Sequence, residues 1–161
     1  MKRIALATSL ACSLLACSQD AEIGIDSQPV SCTDVGAAEV TGRVTDPFNG
    51  TDYEFGTVTP RIAGTTSETY TAILDDGTIQ LRLGFQCGAA ELGSYGIAPG
   101  TDQQLECPFE VTGAVLGRIE YLGANSGTLI VDESSDCLAG RFAVDFGEHG
   151  EISGWFSSAW Q

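Results

Sequence analysis

From Cys32 onward, apolar and polar residues alternate along the chain. Ile79, Leu81, Leu83 and Phe85 are interleaved with Thr78, Gln80, Arg82 and Gly84, so an extended segment here turns one apolar and one mostly polar face, as a half-buried antiparallel strand requires. Tyr70, Ala72 and Leu74 precede it, and between the two runs stands Asp75-Asp76-Gly77, whose Asp-Gly pair tolerates the positive φ of a tight turn. This predicts a hairpin. A second hairpin is predicted through Ile119 and Tyr121, over Gly123-Ala124-Asn125-Ser126-Gly127, and back through Leu129 and Val131. A third has Phe142, Val144 and Phe146 on one face, a Gly147-Glu148-His149-Gly150 turn, and residues 152–159 returning. Weaker strands are predicted over 39–45 and 53–62, the latter interrupted near Pro60, which suits a sheet edge because proline offers no ladder donor. Short extras are predicted over 94–98 and 108–112. Beyond Cys32 no stretch keeps apolar residues at i, i+3, i+4 and i+7 over three turns. With 20 glycines to turn corners, the pattern predicts an all-β domain: an antiparallel two-layer sandwich or partly open barrel of about eight to ten short strands.

The beginning of the chain follows another rule. Met1-Lys2-Arg3 supplies positive charge, and Ile4 to Leu15 is an apolar run of secretory-signal length, too short for the roughly 20 residues that span a bilayer. It closes on Leu14-Leu15-Ala16-Cys17, which resembles the lipobox of bacterial lipoproteins. Residues 1–16 are therefore expected to be a signal peptide, with Cys17 the lipidated first residue. Residues 17–31 are expected to be a flexible tether and 32–161 the acidic β domain. Position 18 is Ser, whereas an aspartate there resembles the inner-membrane retention signal, so the outer membrane is favoured; periplasmic face and cell surface stay open.

Charge and cysteines narrow the setting. Without Lys2 and Arg3 the chain keeps five Arg and no Lys against 22 acids, a net charge of −17. Such a surface repels phosphate backbones, so nucleic acid is not an expected partner and the membrane is met only through the anchor. Cys32, Cys87, Cys107 and Cys137 remain once Cys12 leaves and Cys17 is acylated. An even number in an oxidising compartment implies two disulfides with three possible connectivities. The pairing favoured here is Cys87 with Cys107 and Cys32 with Cys137.

Several segments together resemble a group of small uncharacterised lipoproteins of myxobacteria and their relatives. They are Gly93-Ser94-Tyr95-Gly96-Ile97-Ala98-Pro99-Gly100, Ser126-Gly127-Thr128-Leu129-Ile130-Val131, Gly140-Arg141-Phe142-Ala143-Val144-Asp145-Phe146-Gly147 and Ile152-Ser153-Gly154-Trp155-Phe156. The resemblance implies an exported β domain and carries over no functional residue. This chain ends in Trp160-Gln161, where that pattern often closes on a cysteine.

Catalytic chemistry finds little footing. His149 is the single histidine, in a Gly-flanked turn, and no Gly-x-Ser-x-Gly elbow accompanies it. Paired carboxylates for glycoside hydrolysis would arise by chance among 22 acids. For calcium, Asp132, Glu133 and Asp136 share one loop and Asp75 and Asp76 another, but neither has the spaced pattern of a dedicated site, and Asp-rich turns are first of all turn formers. No cofactor is expected. Asn49-Gly50-Thr51 reads as a turn. Tyr53, Tyr70, Tyr95, Trp155 and Trp160 are the candidate aromatic platforms. Trp155 and Phe156 fall on opposite faces of one strand, so one sheet layer cannot bury both, and an exposed Trp155 or Trp160 would mark a binding surface. The expectation is a non-enzymatic structural, adhesive or interaction module. The alternatives are a small-ligand or carbohydrate binder and a hydrolase using paired carboxylates.

Overall fold

The computed structural model describes residues 24–66, 69–86, 92–97, 110–117 and 122–160. Residues 1–16, Cys17, Cys87 and Cys107 lie outside the described residues. The described part is an all-β sandwich of two antiparallel sheets. In chain order the strands are β1 (Ala37–Thr45), β2 (Asp52–Glu54), β3 (Thr59–Thr66), β4 (Thr69–Asp75), β5 (Gln80–Gln86), β6 (Gly93–Gly96), β7 (Glu110–Gly117), β8 (Leu122–Gly123), β9 (Ser126–Ser134), β10 (Cys137–Asp145) and β11 (Gly150–Ala159). One sheet has the order β2-β1-β11-β10-β9-β6 and the other β3-β4-β5-β7-β8. Among the described residues no helix is long and apolar enough to cross a membrane.

Alternation places the core between the sheets. Val40, Val44, Leu129, Val131, Phe142, Val144, Ile152 and Phe156 of the first sheet are buried in one cluster with Ile62, Leu74, Leu81, Leu83 and Leu116 of the second. The first predicted hairpin is β4–β5. Its turn is held as the Asp-Gly sequence suggests: Asp76 Oδ1 accepts from the amides of Thr78 (2.7 Å) and Ile79 (2.8 Å), and Gly77 takes φ +88°. The third is β10–β11, pairing Cys137 with Ala159 through to Asp145 with Glu151. Pro60 lies in β3, the outermost strand of its sheet, the position in a sheet where proline is tolerated.

The second predicted hairpin does not form as expected. Leu122 and Gly123 pair with Leu116 and Val115 in the five-stranded sheet, whereas β9 pairs with β10 and β6 in the other. The glycine-rich stretch between them is a crossing between layers, anchored by buried Ala124 and by the Asn125 amide on the Asp145 carbonyl at 2.8 Å. Alternation names the buried face of a strand and not its neighbour. Of the predicted short strand at 108–112, residues 108 and 109 lie outside the described residues, and residues 110–112 open the longer strand β7, which runs to Gly117 between β5 and β8. Its Gly113-Ala114 step breaks the apolar alternation.

Strand β10 is buried from Cys137 to Val144 on both faces. One face packs in the core. The other is covered by residues that precede β1.

Candidate functional site

That cover is built around one cation. Arg141 lies on the outer face of β10, only 8% exposed. A bulge between Ala139 and Gly140 makes Asp132 of β9 the unpaired extra residue, because Ala139 pairs with Glu133 and Gly140 with Val131. Bulges re-aim side chains, and here the carboxylate meets the guanidinium. Arg141 donates from Nε to Asp132 Oδ2 (2.7 Å) and from Nη2 to Oδ1 (2.6 Å), a two-pronged pair with side-chain exposures of 10% and 6%. The hydrogen bond to the Asp132 carboxylate holds the guanidinium pKa above its ordinary value; burial pulls the other way, and the charges of Asp132 and Asp26 add to the rise.

The same groups hold the chain that leads into the domain. Arg141 Nη1 donates to the carbonyl of Asp26, and Asp132 Oδ2 also accepts from the amide of Val30 at 3.1 Å. Glu133 Oε2 accepts from the amide of Cys32 at 2.8 Å. Cys32 opens a short 3-10 turn, Cys32–Asp34, capped by Ser31, and is joined to Cys137 by a disulfide with a Cα separation of 5.9 Å. Ser31 Oγ accepts from the Thr33 amide in the turn that follows it, and the amide of Gly36 then donates to the Ser157 carbonyl at 2.7 Å, handing the chain to β1. The last residues of the expected tether, from Asp26 to Ser31, thus lie on the sheet as a strap. The pattern of mostly polar residues there hid this, because the strap is held by backbone groups that any sequence supplies.

Other candidates fall into place around the clasp. Cys32 and Cys137 are paired as favoured. Asp132 and Glu133 are spent on Arg141 and on the strap's amides, while Asp136 is exposed in the turn between β9 and β10. Among the described residues no group of three or more ligating side chains could hold a metal ion. Asp75 and Asp76 serve their turn, and Asp76 Oδ2 also accepts from the Gly56 amide at 3.0 Å. Millimolar Ca²⁺ is therefore expected to leave the Tm unchanged, and a rise of several degrees in a thermal scan would show that a site exists.

Compared with models of known families, with curated proteins and with solved structures, the chain matches none.

The aromatic candidates separate. Phe156 is fully buried in the core. Trp155 is half-buried on the opposite, outer face, with Arg141 and Glu39 as its register partners across the two neighbouring strands. Trp160 packs against the core and donates from Nε1 to the Ser135 carbonyl at 3.0 Å, closing the sheet end beside the disulfide. Tyr53 and Tyr95 also pack against the core cluster. His149 sits half-buried in the 3-10 turn Gly147–His149, 3.8 Å from the exposed carboxylate of Glu148. Asp46 organises the Asn49-Gly50 turn through the amide of Phe48 (2.8 Å) and Asn49 Nδ2 (3.0 Å). Sequence reasoning missed Arg141 and Asp26. The available signal was a lone cation set in the alternation of Gly140 to Phe146, at a position whose neighbours on that face are small.

Proposed function

We propose that the protein is a lipid-anchored module of the bacterial cell envelope, held to the outer membrane through Cys17, with a structural, adhesive or interaction role and no enzymatic one. The observation that carries this reading is the Cys32–Cys137 disulfide, since such bridges persist in oxidising, exported compartments. Its position fits an anchoring role. It joins the point where the chain enters the domain to the doubly buried strand β10, so load from an N-terminal anchor passes into the sheet and does not peel β1 from its edge. The lipobox-like Leu14-Leu15-Ala16-Cys17 and the apolar leader support the same setting, as does the resemblance to exported myxobacterial lipoproteins. Two or three acyl chains, at roughly 0.8 kcal/mol per buried methylene, would hold the protein on a membrane essentially permanently.

Replacing Cys17 with Ser tests this. The wild-type chain is expected in the membrane fraction and the Cys17→Ser chain in the soluble one; equal membrane retention would refute the anchor. A second reading, a carbohydrate-binding module, draws on Trp155, whose ring lies on the outer face beside polar Glu39 and Arg141.

A further inference from the structure

The two sheets protect their edges unequally. Strand edges present unpaired donors and acceptors, and proteins blunt them with short strands or proline. Among the described residues β2 has three, β6 four and β8 two, and β3 carries Pro60. Strand β1 has nine, yet β2 covers only Arg43–Thr45 of it. Among the described residues no strand pairs with Ala37–Gly42 on that side.

The backbone orientation along this flank follows from the glycines of β11. The carbonyl oxygens of Glu39 and Arg43 lie so close to Gly154 and Gly150 that a Cβ at either glycine would collide with them. These odd-numbered residues therefore turn their N–H and C=O toward β11, and by the two-residue period of a strand Ala38 and Val40 turn theirs outward. At Gly42, φ is +103°, and the flat part of the edge ends. Beside it is an open depression of about 540 Å³ lined by Val40, Thr41, Gly42, Arg43, Glu54 and Phe55. The charge around it is one-sided: Arg43 is paired with Asp52 at 3.2 Å, while Glu39, Glu54 and Glu151 are exposed.

We infer that the flank of β1 over residues 37–41 is a docking edge for an extended, basic segment of a partner protein, added as a further strand to the six-stranded sheet. Main-chain bonds to Ala38 and Val40 supply the attachment, as in other cases of strand addition. Apolar side chains of the partner enter the depression by Phe55, and alternate Lys or Arg side chains meet Glu39, Glu54 and Glu151 on the outer face. A second copy of this chain is the poorer occupant, because it brings its own net charge of −15 to the contact. The inference does not depend on the lipid anchor.

The test uses the whole chain and two short synthetic peptides, one alternating Lys with Val and its twin alternating Glu with Val, at low salt. The lysine peptide is expected to bind one per chain, at least about tenfold more tightly than the glutamate twin. Amide hydrogen exchange of Ala38 and Val40, fast in the free chain while Glu39 is protected, is expected to slow when it binds. In Ala38→Pro, which removes one outward N–H, binding is expected to fall about tenfold. The charge-reversed Glu39→Lys/Glu54→Lys chain, which keeps the backbone edge, is expected to lose the preference for the basic peptide. Unchanged exchange at Ala38 and Val40 in the wild-type chain would overturn the proposal even if a variant failed to fold. Equal affinity for the two peptides, or self-association of the free chain through this edge, would overturn it as well.

Discussion

Replacing Arg141 with Met is expected to destabilise the domain by about 3–5 kcal/mol, the cost of leaving a buried carboxylate without its partner. Asp132 is 6% exposed at its side chain, so water cannot take over from the guanidinium. The strap loses a contact at the same time, because Arg141 also donates to the Asp26 carbonyl. Arg141→Met combined with Asp132→Leu removes both charges, and is expected to recover much of the loss, since an apolar pair of similar volume in a buried site is often neutral. Urea unfolding of the four chains checks this as a double-mutant cycle. A single Arg141→Met loss below about 1 kcal/mol, the range of exposed pairs, would contradict the buried clasp. The pair is not expected to weaken near neutrality: a group whose pKa is raised on folding contributes its full stability below the unfolded value, and loses it only as pH climbs through the folded one.

Removing the disulfide should be comparably severe. Cys32 and Cys137 are 105 residues apart, and closing a loop of that length restricts the unfolded chain by about 4–5 kcal/mol on the chain-entropy account. The Cys32→Ala/Cys137→Ala chain is expected to lose about 4 kcal/mol in urea and to unfold with a steeper denaturant dependence, because its unfolded state is freer to expand. Stability equal to the wild type would mean that the bridge adds nothing to the clasp. Even without the bridge, Glu133 and Asp132 still accept from the Cys32 and Val30 amides. The variant is therefore expected to keep the strand pairing of β10 with β11, readable by amide exchange at Phe142 and Val144.

These two results bear on what the sequence made legible. The Leu81/Leu83 and Phe142/Val144 alternations announced their strands because a half-buried sheet imposes a two-residue period on side chains, and such local signals survive in one dimension. The Asp76-Gly77 turn was readable for the same reason. Partner choice was not. Gly123 to Gly127 looked like a hairpin turn, and only the pairing of Leu122 with Leu116 and of Leu129 with Phe142 shows the chain crossing between layers. The clasp was hidden more deeply. It needs a bulge at Asp132, a cation nine residues later and a backbone carbonyl at Asp26, and no single segment contains more than part of it. Asp132 and Glu133 were visible as an acidic pair, but acidity alone could not distinguish a calcium ligand from an acceptor for a strap.

We propose an exported chain whose N-terminal strap is fastened to β10. Mass-spectrometric peptide mapping of the native protein, digested without reduction, tests this most directly. The predicted result is a first peptide beginning at Cys17 with the added mass of a diacylglyceryl group, together with a peptide pair joined through Cys32 and Cys137. An unmodified start at Met1, with Cys32 and Cys137 recovered as free thiols, would contradict it.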